Sequence, residues 1–407
     1  MKLMSKTLFS NLSVSAKIRI RAIDIMRGLT LFLMLFVNDL YTANVPKWLL
    51  HSEADVDGMG LSDWVFPGFL FMVGMSIPYA ATARKRKGDS DGQIFLHILT
   101  RSISLIIIGL LIVNSSNLNP ELTGVNRLLW IGLVYICIFL IWNSYPKGRY
   151  NGLFLCLRGA GIVGLIYLVA IFRSGTAQEP VWLERSWWGI LGLIGWGYFA
   201  AGSISLLIRE RIWASMLVVL FFLFVNIASL NNWIPHVFPG QEWLEIVLQG
   251  NVPMIVTSGL TAALIVRKFS SDWRKLAIYL TLFGLICLVL GLILHHWFIV
   301  SKIIATPSWG MLCNGISILL FVVIYYWIDV RRNTKFSRVL EQAGQNSLTT
   351  YLAPDLIYFL IWGFGLSVLI YKQDDHMWLA VLGSLIWAFL MLWFGLLLNR
   401  IGIKLKL

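Results

Sequence analysis

The chain has 407 residues, 58% of them hydrophobic and 13% charged, with a mean hydropathy of +0.76. That exceeds the roughly 45–50% apolar content of soluble domains, which excludes a water-soluble globule and turns length into a count of membrane spans at about 20 residues each. The formal charge of +13 would need a basic face on a soluble module to indicate nucleic acid; here the bases punctuate apolar runs, so nucleic acid is excluded and topology accounts for them.

In chain order, residues 1–21 read as a cytoplasmic basic arm without the apolar stretch of a cleavable leader, so the first span is expected to act as an uncleaved anchor. Apolar runs follow at 22–44, 62–83, 94–113, 127–142, 151–172, 187–208, 212–230, 244–266, 276–298, 309–328, 346–371 and 377–398. The last two are separated only by Lys372 to His376, so about 11–12 spans are expected. The predicted fold is all-α, a polytopic transmembrane helical bundle without a large soluble domain, its spans filling residues 22–398 and a basic cytoplasmic tail filling 399–407. With an inside N-terminus, 24 Lys and Arg fall on the inner side and five (Lys47, Arg173, Arg185, Lys302, Lys372) on the outer, which predicts cytoplasmic termini. Cys137, Cys156, Cys287 and Cys313 lie in or beside apolar stretches without metal-ligand spacing, and no metal site is expected.

Polar groups inside spans are costly and mark candidate sites. The first span carries Asp24, Arg27, Asn38 and Asp39. Asp24 and Arg27 share a helix face at i, i+3, as a structural ion pair or with Arg27 binding an anionic ligand. Asn38 and Asp39 lie about three turns further along, where a purely structural helix would carry Leu or Phe. His51 follows in an outer loop with Glu53, Asp55 and Asp57; Asp63 opens the second span, as a helix cap or as a partner that orients the imidazole. Arg101, near the inner end of the third span, reaches either lipid phosphate or a ligand phosphate within the bundle. Thr306-Pro307-Ser308 reads as a helix start, and Asn346, Ser347, Thr350 and Tyr351 place hydrogen-bonding groups at the inner end of a late span. The sequence contains no HExxH, Walker or GxSxG motif.

Taken in order, Arg21-Ala22-Ile23-Asp24-Ile25-Met26-Arg27-Gly28-Leu29, Phe36-Val37-Asn38, His51, Leu61-Ser62-Asp63-Trp64 through Gly74, Arg101-Ser102, Val113-Asn114, Pro307-Ser308-Trp309 and Asn346-Ser347-Leu348 resemble the heparan-alpha-glucosaminide N-acetyltransferase family. The likeness is collinear over residues 19–115 and patchy beyond. It implies a multi-span bacterial inner-membrane enzyme that takes acetyl from cytosolic acetyl-CoA and delivers it to an amino sugar or related glycan on the outer side, and it is compatible with a homodimer. His51 would be the general base or the acetyl carrier, Asn38 and Asp63 its catalytic companions, and Asp24 and Asp39 its structural support. Arg19, Arg21, Arg27 and Arg101 would hold the coenzyme A phosphates, with Asn346 and Ser347 beside them. There are departures from the family pattern: the stretch from Asn38 to His51 is slightly longer and different in sequence, Leu129-Trp130 stands in place of a glutamine-arginine pair, and Pro354 in place of a histidine. The competing class is a transporter or flippase for a polar or glycan substrate, using the same intramembrane polar groups as a path.

Overall fold

The computed structural model of the chain describes residues 20–40, 45–146, 148, 150–235, 240–333, 337–373 and 376–407. The described residues form fifteen α-helices: α1 (Arg21–Asp39), α2 (Leu61–Lys85), α3 (Asp91–Asn114), α4 (Pro120–Thr123), α5 (Arg127–Trp142), α6 (Asn151–Ile171), α7 (Gly189–Ile208), α8 (Ile212–Leu230), α9 (Glu245–Gln249), α10 (Asn251–Phe269), α11 (Trp273–Leu294), α12 (Pro307–Tyr325), α13 (Arg338–Gln345), α14 (Ser347–Gly363) and α15 (Met377–Arg400). A two-residue strand pair, β1 (Ser174–Gly175) and β2 (Pro180–Val181), closes the turn after α6.

Each of the twelve apolar runs overlaps at least one of these helices, and among the described residues no large soluble domain accompanies them. Among the described residues nine helices are long and apolar enough to cross a membrane: α2, α3, α6, α7, α8, α10, α11, α12 and α15. α5 and α14 are shorter, at 16 and 17 residues, and α1 carries Arg21, Asp24, Arg27 and Asp39. Two boundaries differ from expectation. The run at 244–266 is broken at Gly250, whose φ of +75° ends α9 and lets Asn251 start α10 in a new direction. The run at 346–371 stops being helical at Gly363, because Gly365 takes a φ of +61° and the chain turns toward α15.

The centre of the bundle is the α2–α10 crossing. A Cβ on Gly74 would lie 1.9 Å from the Val256 carbonyl oxygen, and one on Gly259 2.0 Å from that of Phe71, so the two backbones touch where only glycine fits. Residues Asn251 to Val266 are buried almost without interruption, as a helix surrounded by other helices must be. At the opposite extreme, α6 buries only Gly161 and Leu168 and packs chiefly on α5, leaving its apolar side chains for lipid. Gly259→Leu is expected to abolish the crossing, overpacking it by well over the about 1–3 kcal/mol of an ordinary core insertion. Thermal unfolding of the detergent-purified protein checks this, since the variant should show no cooperative transition near that of the wild type.

A second glycine-mediated crossing sets the position of α1. Gly28 meets the Leu340 carbonyl and Gly344 meets that of Asp24, so α13 lies directly across the first turns of α1. Asp329, just after α12, accepts from the backbone N–H groups of Arg21 and Ala22 at 3.1 and 2.8 Å and so caps α1 from a distant part of the chain. With both ends of that turn fixed, the faces bearing Arg27, Met34 and Asn38 are turned into the bundle.

Candidate functional site

The site is built on the start of α2. Asp63 lies in its first turn, fully buried, and its Oδ2 accepts from the backbone N–H groups of Gly60 and Ser52 at 2.9 and 3.0 Å. Its Oδ1 lies 2.7 Å from His51 Nδ1, whose side chain is half exposed. The helix-cap and imidazole-partner readings of Asp63 are therefore the same arrangement: one carboxylate ends the helix and orients the ring. Because a carboxylate surrounded by donors can only accept, this network assigns the proton to Nδ1 and leaves Nε2 with its lone pair outward. Trp309 Nε1 donates to the Asp63 carbonyl at 3.2 Å, tying α12 to the same turn.

Lys302 completes the cluster from the loop between α11 and α12. Its Nζ lies 3.2 and 3.5 Å from the two ring nitrogens of His51 and 3.4 Å from the Ser62 carbonyl oxygen. Burial pulls the lysine below its ordinary value, while the charge of Asp63 opposes that shift. Sequence reading counted Lys302 only as an outer-side charge; nothing local to it signals a partner 251 positions away.

These groups face a cavity of about 560 Å³, lined also by Asn38, Trp188, Glu245 and Asn251. The Asn38 side chain is exposed to this cavity and makes no hydrogen bond to any described residue. Two buried polar atoms on residues of its wall, Trp188 Nε1 and Asn251 Oδ1, also have no partner among the described residues. Ser186 and Trp188 hold positive φ values of 45° and 68° at the rim, which is backbone strain beside the cavity.

A second cavity, of about 380 Å³, opens toward the other end of the bundle and shares Met34 with the first as a wall. Arg27, Arg101, Asn346, Ser347, Tyr198 and Lys406 line it. Arg27 donates to Ser76 Oγ and, at 3.2 Å, to the Gly344 carbonyl, and lies 3.8 Å from Asp24. Arg101 stacks over the Tyr198 ring at 4.9 Å, and its Nε and the Asn346 Oδ1 have no partner among the described residues. Buried polar atoms left in this state are costly unless something entering the cavity meets them. Lys406 arrives because residues 404–406 hydrogen-bond along the end of α5, through Asn143 Oδ1 and the Trp142 carbonyl.

Other candidates lie elsewhere. Arg19 is outside the described residues. Arg21 turns to Glu341 on α13, with Nε at 3.1 Å, and lines neither cavity. Asp39 accepts from Tyr358, from Tyr371 at 2.8 Å and from Lys372 at 2.8 Å. Cys137, Cys287 and Cys313 are buried, and Cys156 is exposed on lipid-facing α6.

The His51 loop is pinned from outside by Asp57, which accepts from the Val300 N–H at 2.9 Å and from His295 Nε2 at 2.7 Å. The Val300 hydrogen bond, with His295 second, holds the Asp57 carboxyl below its ordinary value of 3.8. A depressed acid stabilises the fold fully above its ordinary value and loses that contribution as pH falls through the lower, folded value. Below about pH 4 the wild-type melting temperature should therefore fall more steeply than that of Asp57→Asn. Parallel slopes in thermal unfolding across that range would remove the pin.

Residues 17–238 match the model of a family described as Domain of unknown function (DUF5009). Among curated proteins, the heparan-alpha-glucosaminide N-acetyltransferase of Homo sapiens is 38% identical over 204 residues, covering 46% of this chain and 28% of that protein. The Mus musculus protein of the same name is 34% identical over 137 residues, covering 31% of this chain and 20% of its own length. The chain thus matches between a fifth and under a third of the length of these relatives. Arg27, Asn38, His51, Asp63 and Arg101 fall within the family match; Lys302, Asn346, Ser347 and Lys406 fall beyond it.

Proposed function

This chain belongs to the family described as Domain of unknown function (DUF5009), and from that premise and the two cavities we propose that it is a membrane acetyltransferase moving acetyl from acetyl-CoA to the amine of an amino sugar or related glycan. The observation that carries the reading is the oriented His51–Asp63 pair over one cavity, backed through Met34 by a basic cavity at the other end of the bundle. The names of the human and mouse relatives support the same reaction class.

In this reading Arg27, Arg101 and Lys406 hold the donor's phosphates, as charge-assisted hydrogen bonds require, and Asn346 and Ser347 meet its amide groups. Arg21 serves α1 through Glu341 instead. The pantetheine arm passes Met34 and brings the thioester beside Asn38 and His51. His51 Nε2 takes a proton from the acceptor amine as its nitrogen attacks the thioester carbonyl; the C–N bond forms, the C–S bond breaks, and the proton passes to the departing thiolate. Asn38 and Lys302 donate toward the carbonyl oxygen as it gains negative charge. An acetyl-imidazole on His51 would use the same groups in two steps. In this reading donor and termini lie in the cytoplasm of a bacterial inner membrane and the acceptor outside, a sidedness that the excess of basic residues beside the Arg101 end supports.

Acetyl-CoA, but not free acetate, should raise the melting temperature of the detergent-purified protein in a concentration-dependent way. Arg101→Ala and Arg27→Ala should each weaken that binding about tenfold, equivalent to about 1.4 kcal/mol. Absence of any shift at millimolar donor would sink the acetyltransferase reading in favour of a transporter.

A further inference from the structure

A third cavity, of about 290 Å³, lies between α1, α14 and α15 and meets the His51 cavity at Asn38, which lines both. Its walls carry two carboxylates, Asp39 and Asp355, and the rings of Tyr358, Trp362 and Trp387. Tyr358 stacks on Trp362 at 4.9 Å and 16° and tilts against Trp387 at 5.0 Å, so the rings form a continuous aromatic surface.

The two acids are in different states of satisfaction. Asp39 is neutralised by Lys372 and takes two phenol hydrogen bonds. Asp355 lies partly buried in the middle of α14, and its Oδ2 accepts from Tyr135. Its Oδ1 has no hydrogen-bond partner among the described residues. A carboxylate inside the helical bundle with a single neutral donor is expensive to maintain, and a cation is what would offset it. The neighbouring faces of electron-rich rings favour the same kind of ligand. Lys372 shows the preference inside the protein: its ammonium, paired with Asp39, lies 5.5 Å from the Tyr358 ring centre and 5.8 Å from that of Tyr371.

We propose that this third cavity binds a primary ammonium, with Asp355 as its counter-ion, and that it is where the protonated amine of the acceptor waits before transfer. The identification of the ligand as the acceptor rests on the acetyltransferase reading; the ammonium site does not. The arrangement also separates substrate from product. An amine is a cation near neutral pH and is held by Asp355; on moving toward His51 it leaves its extra proton on the Asp355 carboxylate and attacks as the neutral amine, and the amide product, uncharged, is not recaptured. Asn38, common to both cavities, marks the step from one to the other.

The test measures binding of D-glucosamine, N-acetyl-D-glucosamine and D-glucose to the full-length protein in detergent by isothermal titration, with acetyl-CoA stabilisation followed in the same preparations. Glucosamine should saturate the wild type, and the two neutral sugars should not bind at ten times the concentration that half-saturates it. Asp355→Asn should weaken glucosamine at least tenfold and leave the acetyl-CoA shift in place. Equal binding of the neutral sugars, no glucosamine binding, or an unchanged affinity in Asp355→Asn would overturn the site. If Asp355→Asn does not fold, Trp387→Leu, which removes part of the aromatic surface, should weaken glucosamine several-fold, and unchanged affinity there would overturn it equally. Asp355-dependent glucosamine binding without any acetyl-CoA shift would keep the ammonium site and remove the acetyltransferase reading; the reverse pattern would do the opposite.

Discussion

His51→Ala is expected to lower kcat of the proposed acetyl transfer by about 10²–10⁴-fold, while acetyl-CoA should stabilise the variant as it does the wild type. The separation follows from the geometry. His51 lines the 560 Å³ cavity and none of the 380 Å³ one, where Arg27, Arg101 and Lys406 lie. Removing the imidazole leaves those cations and their surroundings untouched, so the donor should bind while the proton on the attacking amine has nowhere to go. The fold should also be insensitive, because the ring is half exposed and Asp63 keeps its two backbone donors. Steady-state rates and donor thermal shifts, measured on the same variant, check both halves. A loss of donor binding equal to that of Arg101→Ala would contradict the assignment of the two cavities.

Asp63→Asn is the second large effect, and it should strike activity and stability together. The carboxylate accepts from Ser52 N, Gly60 N and His51 Nδ1. An amide has only one accepting atom, so in any orientation its N–H₂ group faces a donor that the carboxylate satisfied. Each buried group left unpaired costs about 1–3 kcal/mol, and the ring is free to take the other tautomer. Loss of the equivalent carboxylate in histidine-based hydrolases lowers kcat by about 10⁴, and a fall of that order is expected here. The diagnostic measurement is the pair of kcat and melting temperature: a stability loss with near-normal kcat would reduce Asp63 to a helix cap.

The helices were legible in the sequence because lipid forces every span to satisfy its own backbone, so each is written as an apolar run. What failed was finer. The break at Gly250 lies inside the run read at 244–266, where Gln249-Gly250-Asn251 and Pro253 mark it locally but hydropathy averaged over a window does not register a change of direction. The site was legible where its residues sit close in sequence, as with Asn38, His51 and Asp63. Lys302 and Lys406 were counted only as topology charges, because their roles depend on which loop folds over which helix end. Arg21 went the other way: its place among inner basic residues suggested a phosphate, but Glu341 on α13 claims it. Asp39, expected as a structural ion pair or site support, points about 100° away from Asn38, as the next residue on a helix must, and takes Tyr358, Tyr371 and Lys372 as its partners.

The wall formed by Met34 has an electrical consequence. Two cavities that open toward opposite ends of one bundle would, if joined by water, short-circuit the membrane and dissipate its proton gradient. Met34 is 2% exposed and belongs to both linings, so a single unbranched thioether stands at the boundary between them. Its three rotatable bonds let it move aside for a slender thioester arm and close again behind it. In the proposed reaction the residue would act as an insulator, letting a two-carbon group cross the bilayer without the ions on either side of it.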